Sequence, residues 1–124
     1  MRQLVLALAI AGSIGCKHPG SRLEGHWKGT RAEGVAPAAQ DAANAFATQT
    51  EIVAKGTTIS ITTPGAKPQT ATFVVDSESG STIVVHTDKD GTANKETFVF
   101  ADEGKTMVWR MGEGRTITFL RLKD

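Results

Sequence analysis

From Gln49 to the C-terminus, apolar and polar residues alternate in short runs, and a Gly, Pro or Asp closes each run. Period-two alternation of this kind is the pattern of antiparallel strands with one face turned inward. In order, the runs are Thr50 to Ala54, Thr57 to Thr63, Gln69 to Val75, Ser81 to Thr87, Lys95 to Ala101, Lys105 to Met111 and Arg115 to Leu122. The breaks include Lys55-Gly56, Pro64-Gly65, Ser77 to Gly80, Asp88 to Gly91, Asp102 to Gly104 and Gly112 to Gly114. They supply residues that accept the positive φ of tight hairpins, so each strand turns back beside its predecessor. Upstream, Leu23, Gly25 and Trp27 alternate with Glu24, His26 and Lys28, and the run continues to about Glu33, which predicts a further strand at the start. The stretch VAPAAQDAANAFATQ between them changes period. Pro37 suits a first helical turn, alanine has high helix propensity, and Val35, Ala39, Ala42 or Ala43 and Phe46 recur at helical spacing. One short helix is predicted, with Phe46 fastening it to the sheet.

Eight strands in a meander leave two open edges, which on a small sheet invite aggregation. Closure removes them, because an even count lets the last strand pair antiparallel with the first. The predicted fold is therefore mainly β: an eight-stranded antiparallel up-and-down β-barrel with one short helix between strands 1 and 2. Alternation assigns Ile59, Ile61, Ala71, Phe73, Val75, Ile83, Val85, Phe98, Phe100, Met107, Trp109, Met111, Ile117 and Phe119 to the inside. Such a face suits a packed core and a small lipid or aromatic ligand equally. Strands of about seven residues tilted by roughly 40° make a barrel under about 20 Å tall, which favours a filled or nearly filled interior. If there is room, Phe73, Val75, Phe98, Phe100, Met107, Trp109, Met111 and Phe119 are the candidate ligand contacts. The alternation slips near Leu120 and Leu122, which suggests a bulge there.

Leu23-Glu24-Gly25-His26-Trp27, with glycine two places before tryptophan in the first strand, resembles the G-x-W signature of the calycins, the group of lipocalins, fatty-acid-binding proteins and bacterial lipocalin-like proteins. The resemblance implies that Gly25 and Trp27 close the base of the barrel. It also implies that a basic residue from near the last strand, Arg121 first and Arg115 second, lies over the indole. It identifies no ligand.

The chain's single cysteine, Cys16, follows a basic start at Arg2, an unbroken apolar run from Leu4 to Ile10 and small residues from Ala11 to Gly15. This is the layout of an export signal, and it is too short for the roughly 20 apolar residues of a spanning helix. Ser13-Ile14-Gly15-Cys16 resembles the lipobox of bacterial lipoproteins, although Ser13 stands where leucine is usual. The resemblance implies cleavage before Cys16, attachment of lipid such as palmitate to it, and a cell-envelope protein. Lys17 after the cysteine favours the outer membrane. The implied organisation is a signal peptide over 1–15, a lipidated tether over 16–22 and a barrel domain over 23–124. A lone thiol in a secreted protein, free or in an intermolecular disulfide, is the alternative.

The chain carries 14 Lys plus Arg against 13 Asp plus Glu, and Arg2 leaves with the signal, so the remainder is balanced and its charges are interspersed. No basic stripe supports nucleic-acid binding. His18, His26 and His86 share no metal-ligand spacing, and Asp88-Lys89-Asp90-Gly91 fits a hairpin better than a calcium loop. No nucleophile, acid and base set can be assembled, so an enzyme is not expected, and no cofactor is implied. Two readings remain: a monomeric, lipid-anchored barrel that binds a small apolar ligand, or a filled barrel that grips another envelope protein.

Overall fold

The computed structural model describes residues 20–89 and 92–122, with the side chains of 88–94 outside that description. Cys16 and the rest of the predicted leader lie outside the described residues. The strands are β1 (Gly25–Glu33), β2 (Glu51–Lys55), β3 (Thr58–Thr62), β4 (Gln69–Ser79), β5 (Thr82–Lys89), β6 (Thr92–Ala101), β7 (Thr106–Gly112) and β8 (Arg115–Arg121), and α1 (Gln40–Thr48) follows β1. Each strand pairs antiparallel with the next, and β8 pairs with β1, so the sheet is a closed eight-stranded up-and-down barrel. This is the closed eight-stranded up-and-down barrel expected from the alternation.

One end of the barrel holds the start of β1, the turns at Gly56 and Gly80 and the 3-10 turn Asp102–Gly104. The other holds α1 and the loop from Thr63 to Pro68. Ser21–Leu23 form a 3-10 turn, and Leu23 is fully buried.

Helix α1 is where the polypeptide passes from β1 to β2. Pro37 opens a 3-10 turn, Pro37–Ala39, that leads into it. β2 pairs only with Gly25 to Lys28, so the edge of β1 beyond that point needs other partners. The helix supplies them. Asn44 Oδ1 accepts from the Ala32 N–H at 3.0 Å, and Gln40 Nε2 donates to the Ala32 carbonyl at 2.7 Å. Small side chains complete the contact. Ala47 is fully buried and Ala43 packs on the core, whereas Phe46, expected to fasten the helix, is 40% exposed.

Three bulges re-aim side chains, at Thr30 in β1, Asp76 in β4 and Met111 in β7. The slip expected near Leu120 is thus not in β8. Leu120 points outward in regular register with Lys28 and Thr106, and the irregularity lies in its partner strand. Met111, expected inside, is skipped by the ladder and is exposed. In β4 the bulge carries the strand on through Ser77–Ser79, which composition alone marked as a turn, and sets Glu78 opposite inward-facing Ile83.

Candidate functional site

The two halves of the barrel differ. Toward the end where the chain enters, Trp27, Phe98, Phe119, Leu23, Ile83 and Met107 are fully buried and fill the interior. Trp27 and Phe100 pack with ring centroids 5.8 Å apart, and a guanidinium covers each: Arg121 lies 4.2 Å from the Trp27 centroid and Arg22 lies 5.4 Å from that of Phe100. The Trp27 indole N–H donates to the Leu23 carbonyl at 2.9 Å. Arg121 donates to the carbonyls of Gly104, Glu24 and Arg22, and Arg22 to Gly80 O and Glu78 Oε2. Glu78 also accepts from the Gly20 N–H at 3.1 Å.

This geometry gives the Gly-x-Trp pair a physical reason. Gly25 has φ +135°, and a Cβ there would collide with the Arg121 guanidinium, so only glycine lets the cation reach the indole. Arg121 rather than Arg115 occupies the position over Trp27. The paired Arg22 was invisible to strand periodicity because it precedes the first strand.

A depression of about 840 Å³ lies over this sealed end, among Arg22, Glu24, Glu103, Lys105 and Arg121. Its two arginines are already committed to carbonyls, to Glu78 and to the aromatic rings beneath. The other half is different, because a recess of about 380 Å³ remains within the barrel wall. Ile59, Ile61, Ala71 and Val85 form its apolar sides, Trp109 lines it, and Thr63, Gln69, Thr70, Thr87 and Glu96 bring polar groups. Its size falls at the lower end of the range of about 300–1,000 Å³ typical of small-molecule sites. The pairing of β4 with β5 runs from Phe73↔Thr87 toward the sealed end, and Gln69, Thr70 and Ala71, ahead of it in β4, line the recess.

Trp109 marks the boundary between the halves. Its ring packs on Phe98 and Phe119, with centroids 6.3 and 6.4 Å away, and its indole N–H donates to Glu96 Oε1 at 2.7 Å. Of the residues chosen from sequence as ligand contacts, Trp109 alone lines the recess. Phe73, Phe98, Phe100, Met107 and Phe119 are buried in the packed core, Val75 is half-buried against it, and Met111 faces outward. Glu96 was missed, although the signal was present: it has the parity of Phe98 and Phe100 and sits opposite Val85.

The two described histidines lie on separate strands, each against a carboxylate. His26 Nε2 is 2.6 Å from Glu51 Oε1, with Lys28 3.6 Å from the other oxygen. His86 Nδ1 is 2.6 Å from Asp76 Oδ1, with Lys95 3.6 Å away. The hydrogen bond from His26 is the main cause that holds the Glu51 carboxyl below its ordinary range; burial opposes it, and the charges of His26 and Lys28 add smaller lowering contributions. Among the described residues no three His, Cys, Asp or Glu side chains converge on a point that could hold a metal ion.

No protein-family model matches the chain, and no curated protein matches it in sequence. Among solved structures it is similar to a mutant of the fluorescent protein UnaG, at 13% identity and a TM-score of 0.49, over 83% of this chain and 98% of that one.

Proposed function

We propose that this chain is a membrane-anchored bacterial lipoprotein, held through Cys16 to the outer membrane, whose barrel binds a small apolar ligand in the cell envelope. The observation that carries the binding reading is the unfilled half of the barrel. A recess of about 380 Å³ with four aliphatic walls and an indole is space that a purely structural barrel of this height has side chains enough to fill. The anchoring reading rests on the residues before Cys16. Gly20 joins the barrel at the sealed end, through Glu78 at the end of β4. A tether attached there leaves the recess on the side away from the membrane.

The test of binding is native mass spectrometry of gently purified protein, in which a small molecule should travel with the barrel in one-to-one ratio. Its absence from several independent preparations would retire the reading. Recovery of a single stoichiometric protein partner with an empty recess would put the envelope-protein-binding alternative in its place. Anchoring is tested separately, by incorporation of labelled palmitate in cells and its loss in C16S.

A further inference from the structure

Glu96 is the one ionisable side chain among the described residues lining the recess, and it is acidic. It is half-buried on the inward face of β6, opposite Val85, in a wall otherwise made of aliphatic, hydroxyl, amide and indole groups. Its described partner is the Trp109 indole N–H, which engages Oε1 at 2.7 Å. A carboxylate offers about four acceptor positions on two oxygens, and one indole N–H occupies one of them. A neutral acceptor would satisfy that N–H equally well, so the retained charge calls for a different explanation.

We infer that the recess selects apolar amines, ligands with a hydrocarbon or aromatic body and one cationic nitrogen, over carboxylates of the same size. The inference rests on the proposal that the recess binds a small apolar ligand, and it names the head group. An ammonium at the mouth gains a charge-assisted hydrogen bond to Glu96 and lies beside the indole of Trp109, whose face also attracts a cation. Trp109 is itself held by Phe98 and Phe119, so the acceptor is oriented before the ligand arrives. A ligand carboxylate placed there meets a like charge in a partly desolvated wall with no described basic residue to offset it.

The experiment is calorimetric titration of the full chain at pH 7 with three probes of one chain length, n-octylammonium, octanoate and 1-octanol, repeated on E96Q. That variant keeps an acceptor for the Trp109 N–H and removes the charge. Wild type should bind n-octylammonium about tenfold or more tighter than octanoate, and E96Q should bring the two within about threefold of each other. Saturable binding in which octanoate equals or exceeds n-octylammonium overturns the head-group inference and leaves the apolar-ligand reading standing. So does a preference that survives in E96Q. Failure of all three probes to saturate wild type removes both. Should E96Q not fold, the wild-type series alone still decides.

Discussion

Alanine in place of Gly29 should destabilise the barrel strongly, against the usual direction of a glycine-to-alanine change in a strand. Gly29 is in β1 and its φ lies outside the left-handed region, so backbone conformation does not require glycine there. At such a position alanine normally stabilises by about 0.4–1 kcal/mol, because it narrows the unfolded ensemble. Space reverses the sign. A Cβ on Gly29 would overlap the Ala47 carbonyl oxygen, and it would lie 2.9 Å from that carbonyl carbon and 3.3 Å from Thr50 O. These are backbone atoms of the end of α1 and the residues after it, where Ala47 and Thr50 are fully buried, so no flexible side chain can yield.

Restoring ordinary carbon contact requires the C-terminal turn of α1 to withdraw by roughly 1 Å. That strains or breaks the 2.9 Å hydrogen bond from Gly29 N–H to Thr50 O. Overpacking costs about 1–3 kcal/mol and a lost buried hydrogen bond about 1 more, so G29A should lose about 2–4 kcal/mol. For a domain of this size that lowers Tm by on the order of 10–20 °C. Gly56 is the control: its φ is +62° with nothing within 4 Å of a built Cβ, so G56A loses only about 1 kcal/mol through backbone conformation. Thermal unfolding followed by tryptophan fluorescence and far-ultraviolet circular dichroism measures both. A G29A Tm equal to or above wild type would refute the close approach of helix and strand.

At the sealed end, R121M should cost about 1–3 kcal/mol in urea unfolding and shift tryptophan emission to the red as the Trp27 face is uncovered, with R121K intermediate; wild-type behaviour of both would count against the cover. M107A should lose about 2–5 kcal/mol and M111A less than about 0.5, although the two share parity in the sequence; equal effects would contradict the bulge in β7. The depressed Glu51 carboxyl gives a signed pH effect. Its stabilisation is full above its ordinary value of 4.5 and is lost as pH falls through the lower folded value, so wild type should lose more stability than E51Q on acidification. Both partners are 39% exposed on their side chains, which limits the effect to a few tenths of a kcal/mol, and parallel stability curves for the two proteins from about pH 6 to 3 would disprove it.

The strands and their order were legible because period-two alternation and turn residues are local signals, whereas the closing pair of Trp27 and Arg121 was implied only by the resemblance of the Gly25-x-Trp27 stretch to a known signature. Bulges were not legible. Each shifts parity by one residue, so Met111 turned outward and Glu78 came opposite Ile83 without any mark in composition. Phe46 misled because helical spacing says which residues share a face but not how near the neighbouring sheet lies. Gly29, which sets that distance, reads as an ordinary strand residue. The recess was half legible: Ile59, Ile61, Ala71, Val85 and Trp109 followed from alternation, and Glu96 obeyed the same parity but was not singled out because it is not apolar.

The cap over Trp27 joins parts of the chain that are made far apart in time. Arg121 bonds to Glu24 and Arg22 across 97 and 99 positions, and β8 supplies the final seam beside β1. A nascent chain not yet extended to Arg121 can form the earlier hairpins but not the plug. Sealing is therefore a late event that waits for synthesis of β8, and pairings of such long separation are slow to form. Trimming the chain ahead of residue 121 should leave an unsealed cylinder with an exposed indole, a form that quality-control proteases can recognise.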